Sequence, residues 1–268
     1  MTKVSPQKTI IITGASAGIG KVAARELSKD NRVVIVGRSA HTKAVAKELG
    51  VEYFLADYAD LSTVHTLAKN LLKACPRIDL LINNAGGIMK SITTTSDGFE
   101  QTFQVNYLAQ FILTNALTDR LIASKGAVIN TSSAAHRFAR LHTDDIQAAA
   151  SPFIAYSNGK LLDLLHAQEL ARRLDTKGVE AVSFHPGVVA TNFGNTTKGI
   201  FSWLYNTSVR ALLKTPQQGA DTLIWLVNNR PLWQNGGYYS NRKLSSISGI
   251  ARDPQVSQDI WKISEKLL

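Results

Sequence analysis

Tyr156 and Lys160 frame the stretch Tyr-Ser-Asn-Gly-Lys. If Ala155 to Leu174 forms a helix, the two side chains lie one turn apart on one face. An ammonium beside a phenol favours the phenolate and draws the tyrosine pKa down from about 10 toward working pH. Such a pair can give and take a proton. Two common residues at helical spacing also recur by chance on solvated faces, so chemistry at Tyr156 requires neighbours that bring in a substrate and a second reactant. The stretches that could do so are a glycine-rich turn at Gly14–Gly20, Asn83-Asn84-Ala85-Gly86, and Ser132-Ser133.

Each of these follows a short apolar run. Lys8 to Thr13, with Ile10, Ile11 and Ile12, has the β-branched character of a strand buried on both faces. Gly14-Ala15-Ser16-Ala17-Gly18-Ile19-Gly20 follows, and Val22 to Ser28 reads as a helix. Glycines allow positive φ and close approach of a phosphate, and a helix N-terminus offers free N–H groups to the anion. The spacing is Gly-x-x-x-Gly-x-Gly, which a tight turn with close helix packing would also explain. Arg32 to Gly37 completes a βαβ unit, and Arg38-Ser39 stands where an NAD site places a carboxylate for the adenosine ribose. Arg38 and Ser39 could instead hold a 2′-phosphate, which predicts NADP(H) over NAD(H); the other reading of Arg38 is a solvated residue at a strand exit. Val51 to Leu55 reads as a third strand after a helix over His41–Leu49. Asp57 beyond it could accept from an adenine amino group, because Asp60 is the better cap for the helix Leu61–Ala74. Ile78 to Asn83 predicts a fourth strand, and the small residues Asn84, Ala85 and Gly86 would let its loop lie against a flat ligand, or simply turn.

Phe99 to Leu117 reads as a long, heavily buried helix. Asn106 within it needs a polar partner, structural or functional. Ala127 to Thr131 predicts a strand ending at Ser132-Ser133, on the carboxyl edge where ligands bind in open α/β sheets. Asn158-Gly159 is a turn signal inside the Tyr156 helix, so that helix continues only if tertiary contacts override it. Residues 134–152, with His136, Arg137, Arg140 and His142, form a connection long enough to border a substrate. Val179 to Phe184 is a sixth strand, Pro216 to Val227 a helix, and Gly236 to Ser240 a seventh strand. The tail 241–268 ends in an amphipathic helix with Val256, Ile260, Ile263 and Leu267. Phe193, Phe201, Trp203 and Tyr205 lie in an aromatic segment, 192–213, that could close over an apolar substrate, cover core or contact another subunit.

The chain has 268 residues, 44% of them hydrophobic, and nothing that reads as a linker or repeat, so one domain is expected. Cys75 is the sole cysteine, which excludes an internal disulfide framework. No signal peptide or membrane span is read, and a cytoplasmic location is expected. The net charge of +10 is scattered rather than clustered, which fits a protein for anionic small ligands better than a nucleic-acid binder. The histidines lack metal-ligand spacing, and no metal site is expected.

From about Lys8 to Ser240 the sequence resembles the short-chain dehydrogenase/reductase family. The likeness rests on Thr13-Gly14-Ala15-Ser16-Ala17-Gly18-Ile19-Gly20, Asn83-Asn84-Ala85-Gly86, Asn106, Ser133, Tyr156-x-x-x-Lys160 and Pro186-Gly187, in that order. Gly98-Phe99-Glu100 through Asn106 and Ser133-Ala134-Ala135-His136 are similar to the retinol-dehydrogenase-like branch. The resemblance implies a Rossmann-type doubly wound parallel sheet of about seven strands, helices on both faces, and hydride transfer between NADP(H) and a carbonyl or alcohol. It implies that Tyr156 is the general acid/base and that Lys160 holds nicotinamide ribose hydroxyls and lowers the tyrosine pKa. Ser133 would orient the substrate oxygen, and Asn106 would position a water leading from Lys160 to solvent. Gly14, Ser16, Gly18, Ile19, Gly20, Asn84, Ala85 and Gly86 would line the cofactor. Pro186, Gly187, Val188 and Val189 would hold the carboxamide end, with Thr191 near the phosphates. A homodimer or homotetramer paired through the two long central helices is also implied. The alternative is a non-catalytic NADP(H)-sensing protein on the same fold, which would not need Asn106, Ser133, Tyr156 and Lys160 together.

Overall fold

The computed structural model describes residues 7–189 and 213–268. Its centre is β1 (Thr9–Thr13), whose three isoleucines are fully buried. Side chains alternate across a strand, so Ile11 joins the apolar cluster on one face of the sheet, while Ile10 and Ile12 join the cluster on the other. β1 pairs in parallel with β2 (Arg32–Gly37) on one side and β4 (Leu80–Asn83) on the other. The remaining strands are β3 (Glu52–Leu55), β5 (Ala127–Thr131), β6 (Glu180–His185), β7 (Tyr238–Ser240) and β8 (Lys243–Leu244), in the order β3-β2-β1-β4-β5-β6-β7-β8. All pairings are parallel except β7 with β8. Strand order reverses between β1 and β4, which opens a crevice beyond their carboxyl ends. The sheet has one strand more than the sequence predicts. β8 has two residues and lies on an edge, returning from β7 through Asn241 and Arg242 with positive φ, and so short a strand leaves no hydrophobic period to read.

Helices cover both faces. α1 (Gly18–Leu27) and α2 (Ala40–Leu49) supply Ala23, Leu27 and Val45 to the cluster holding Ile10 and Ile12. α3 (Leu61–Ala74) packs on the opposite face. The helix expected over Phe99–Leu117 is differently divided. Gly98 takes φ +87°, and the Glu100 carboxylate accepts from Thr102 N and Phe103 N, so α4 (Gln101–Phe103) starts two residues late. A π turn, Gln104–Leu108, follows, and α5 (Ala109–Ser124) continues beyond the predicted end until Lys125 turns left-handed. α6 (Pro152–Leu174), capped by the Ser151 hydroxyl, runs unbroken through Asn158-Gly159. Two contacts override the turn signal. The Asn158 amide pins the preceding loop through Arg140 N, Arg140 O and Ala148 O, and Gly159 faces Asn106, whose Cβ would lie 3.3 Å from an added methyl.

α7 (Pro216–Asn228) carries a complete capping box from Thr215 and Gln218. α8 (Pro254–Glu265) is the amphipathic tail helix, which packs on α6 and touches α5 through one ring. Its Trp261 ring stands 4.9 Å from Phe111, Arg173 covers the same indole at 4.6 Å, and Ser264 Oγ bonds the Tyr107 hydroxyl at 2.7 Å. The segment expected as a lid, 192–213, falls outside the described residues apart from Leu213.

Candidate active site

At the switch point the β1 turn and the β4 loop are sewn together by one hydroxyl and one amide. Thr13 Oγ1 accepts from Asn84 N and Ala85 N, both at 3.0 Å, and donates to Ile82 O. Asn84 Nδ2 donates back to Thr13 O at 3.0 Å and Gly14 O at 3.3 Å. Gly14 has φ +66°, and a Cβ there would come within 2.7 Å of Ala85 Cα. Both demands select glycine at this position. Gly14→Ala is therefore expected to lower stability by about 1–3 kcal/mol, and urea unfolding measures it.

The glycine turn delivers the first turn of α1 to the crevice without a side-chain cap, since Ala17 has no polar atom to accept from it. The N–H groups from Gly18 onward are left to an anion. Arg38 and Ser39 stand exposed at the end of β2, the adjacent strand, and no ion-pair partner of Arg38 occurs among the described residues. Ser39 begins α2 with no side-chain cap bond. Asp57, at the end of β3, is exposed and its carboxylate accepts from Ala59 N, while Asp60 caps α3 through Ser62 N. An uncapped helix start and, on the adjacent strand, a cation with no ion-pair partner among the described residues fit a dinucleotide carrying phosphate at both places.

The proton-transfer candidates converge beyond β4 and β5. Lys160 is 4% exposed, and its Nζ donates to Thr131 O and Asp163 Oδ2, each at 2.7 Å. The same Nζ lies 5.8 Å from the ring centre of half-buried Tyr156, within cation–π range. Burial alone would lower the Lys160 pKa, but the charges of Asp163 and Tyr156 and the Asp163 hydrogen bond outweigh it and hold the ammonium above the usual lysine value. A Cβ on Gly86, φ +152°, would lie 3.6 Å from Lys160 Nζ and 3.0 Å from Asn106 Oδ1, so the Asn84–Gly87 loop abuts both. The π turn aims the Asn106 amide at Gly87, where it accepts from Gly87 N and donates to Gly87 O, both at 2.8 Å. Asn106 is thus seen as a clamp on this loop. The two serines diverge: Ser132 is buried and donates to Lys160 O at 2.6 Å, whereas Ser133 is half-exposed and caps the 3₁₀ turn Ala134–Phe138 through Ala135 N.

The third wall follows β6. Ala134 N donates to His185 Nδ1 at 3.3 Å, tying the Ser133 turn to the start of His185-Pro186-Gly187. Burial, with the nearby charges of Lys214 and His136, drives His185 down to about 4. Gly187 has φ +92°, and the chain continues through exposed Val188 and buried Val189 into a parallel bridge with Lys214. Val189 and Ile19 close around Gly219 of α7, which joins this turn to the glycine turn. Thr191 lies outside the described residues. His136, in the loop expected to border the substrate, is fully buried instead. Its Nδ1 meets Ser133 O at 2.6 Å and its Nε2 accepts from Ser248 N at 3.2 Å, fixing the tail to the Ser133 turn.

Sequence reasoning passed over Asp163, although an acid three residues beyond a lysine on a helix is a readable ion pair. It also passed over the buried polar row beneath the site. Asn83 Nδ2 donates to Thr114 Oγ1 and Asn130 Oδ1, and Asn130 Nδ2 reaches Asp163 O and His166 Nδ1. These contacts join residues far apart in the chain, so no local signal announces them.

The profile described as short chain dehydrogenase matches residues 8–199. The chain is 39% identical over 272 residues, 97% of its length and 92% of the relative's, to a Streptomyces sp. (strain C5) protein provisionally named as the daunorubicin C-13 ketoreductase DnrU. It is 34% identical to human retinol dehydrogenase 11 over 98% of its own length and 86% of the relative's. A crystal structure of an uncharacterized protein from Mycobacterium paratuberculosis superposes with a TM-score of 0.80 at 30% identity, covering 97% of this chain and 93% of that one. Among the described residues no helix is long and apolar enough to cross a membrane.

Proposed function

The chain belongs to the short-chain dehydrogenase family, in its retinol-dehydrogenase-like branch, and from that premise we propose that it is an NADP(H)-dependent reductase of moderately bulky, apolar carbonyl compounds. As a member of that family it is an oxidoreductase that binds a nicotinamide dinucleotide and interconverts carbonyl and alcohol groups. The observation that carries the finer reading is the buried Lys160 ammonium held 5.8 Å from the Tyr156 ring, on the carboxyl edge of the sheet beside the glycine turn.

In this reading the α1 N-terminus and Gly14–Gly20 hold the pyrophosphate, Asn84–Gly86 flank the dinucleotide, and Pro186–Val189 hold its carboxamide end, with Thr191 beyond. When bound, the nicotinamide supplies or accepts the hydride. Tyr156 donates the proton to the carbonyl oxygen in reduction and takes it back in oxidation, Ser133 orients that oxygen, and Lys160 turns its remaining N–H to a ribose hydroxyl. Asn106 keeps the Asn84–Gly87 loop in place and, through it, the water that reaches Lys160. An apolar substrate is favoured by Phe138 and Phe153, whose rings pair at 5.8 Å between the Ser133 turn and the start of the Tyr156 helix. Loss of NADPH absorbance with a panel of aldehydes, ketones and quinones tests the reading; no turnover with any member, against turnover by a related reductase, defeats it.

The 2′-phosphate preference rests on Arg38 and Ser39, with Asp57 toward the adenine. A charge-assisted hydrogen bond contributes roughly 1.5–3 kcal/mol, or about ten- to a hundredfold in affinity. Arg38→Asp is expected to shift the NADPH/NADH affinity ratio by that factor toward NADH. Fluorescence titration with each cofactor reads it, and an unchanged ratio removes Arg38 from the site. Pairing of subunits through α5 and α6 has to accommodate α8, which packs on α6 and reaches Phe111 of α5.

A further inference from the structure

The Lys160 ammonium has three N–H groups, and two are already committed inside the protein, to Thr131 O and to Asp163 Oδ2. Among the described residues no partner takes the third, which leaves it for a ligand. Asp163 stands one helical turn after Lys160, its side chain 2% exposed against 5% for that of Lys160, so the pair is an ion pair inside the fold rather than a surface bridge. A carboxylate in that position opposes the positive charge that Tyr156 faces. We propose that Asp163 is a positioning residue for the reaction at Tyr156: it fixes Lys160 Nζ against β5 and, as its counter-charge, sets the pH at which Tyr156 exchanges its proton. This inference rests on the assignment of Tyr156 and Lys160 above.

Among the described residues Asp163 is the acid that reaches Lys160, while β7 turns toward Tyr156 the Tyr238 phenol, which burial pushes up and keeps neutral. From α6 the titratable groups near the pair are Tyr156 and neutral His166; from the π turn there is Tyr107, whose hydroxyl is bonded to Ser264. β4 and β5 present Asn83, Asn130 and Thr131, none of which ionises. Burial lifts the Asp163 carboxyl to about 6 against the pull of Lys160, while Lys160 is held above the usual lysine value. Above pH 6 the pair is therefore ionised on both sides and its net charge is zero. Removing the carboxylate charge leaves a full unit of positive charge beside Tyr156, which stabilises the phenolate. Alcohol oxidation, which needs phenolate, then begins at lower pH, and carbonyl reduction, which needs phenol, fails at lower pH.

Asp163→Asn keeps the size of the side chain and an oxygen for Lys160 while deleting the charge. The expected result is a downward shift, on the order of one pH unit, in the midpoints of the kcat–pH profiles of both directions, with NADPH affinity retained. Asp163→Glu, which keeps the charge, should return the midpoints toward wild type. Profiles of Asp163→Asn that superimpose on wild type overturn the proposal and leave the proposed function standing. Absence of NADPH-dependent turnover in the wild-type chain would instead remove the function on which the proposal rests. Carbon-13 NMR of the aspartate carboxyls in the wild-type protein gives a test that needs no variant: an Asp163 carboxylate ionised at pH 8 supports the assignment, and one still protonated there supplies no counter-charge and overturns it.

Discussion

Tyr156→Phe is expected to lower kcat for carbonyl reduction by roughly 10²–10⁴-fold, with NADPH affinity nearly unchanged. The substitution removes one oxygen and nothing else. The ring remains half-buried on α6, and Lys160 keeps its bonds to Thr131 O and Asp163 Oδ2, so the groups assigned to the cofactor stay in place. Ser133 still offers a hydroxyl to the carbonyl oxygen, but in the proposed arrangement it has no ammonium beside it and no route for a replacement proton. The loss should therefore appear in kcat, with little change in substrate KM. Stopped-flow or steady-state loss of NADPH absorbance measures the first quantity, and fluorescence titration the cofactor affinity. Turnover within tenfold of wild type would strip Tyr156 of its role, and the Asp163 assignment with it.

The parts of the molecule that sequence made legible are those whose signal is local. A β-branched run followed by glycines and an apolar helix announces β1, its turn and α1, because burial on both faces and positive φ each restrict residue type at the position itself. Tyr156 and Lys160 are legible for the same reason, being one turn apart. Ser133 is separated from Ser132 only by resemblance; in the structure Ser132 is buried on the Lys160 carbonyl, while Ser133 is half-exposed and caps the turn that follows. What escaped is what depends on distant partners. The π turn exists where Asn106 reaches Gly87 and Gly159 lets α6 close on it, and neither contact has a spacing in the chain. The helical pattern in the tail was legible as Val256, Ile260 and Ile263, yet Trp261, which seats α8 on Phe111 and Arg173, falls outside that pattern. Seven strands became eight because a two-residue edge strand carries no periodic signal.

His166 belongs with these distant contacts: it is a buried acid-labile point whose surroundings come from several elements. It lies against Tyr107, Phe111 and Trp261, its Nδ1 meets Asn130 Nδ2, and burial drives its pKa down to about 3. The unfolded chain takes up that proton near pH 6.5 and the native chain does not, so between these values the unfolded state binds more protons. Stability is therefore present above pH 6.5 and lost as pH falls below it. The linkage amounts to about 2 kcal/mol between pH 7 and pH 5 at 1.36 kcal/mol per pH unit. His185, lowered to about 4, acts in the same direction. Asp163 acts in the opposite one: its carboxyl, raised to about 6, is protonated in the native state before the unfolded state follows near pH 3.9, which returns part of the loss. Replacing His166 with Phe keeps an aromatic ring in the cage and removes the titration, while leaving one Asn130 N–H without its acceptor. The variant is expected to be less stable than wild type at pH 7, by about 1–3 kcal/mol for the orphaned donor. That deficit should shrink by about 2 kcal/mol at pH 5. Urea unfolding at the two pH values measures both quantities, and a deficit that stays constant between them would mean that His166 is already protonated, or already accessible to solvent, in the native protein.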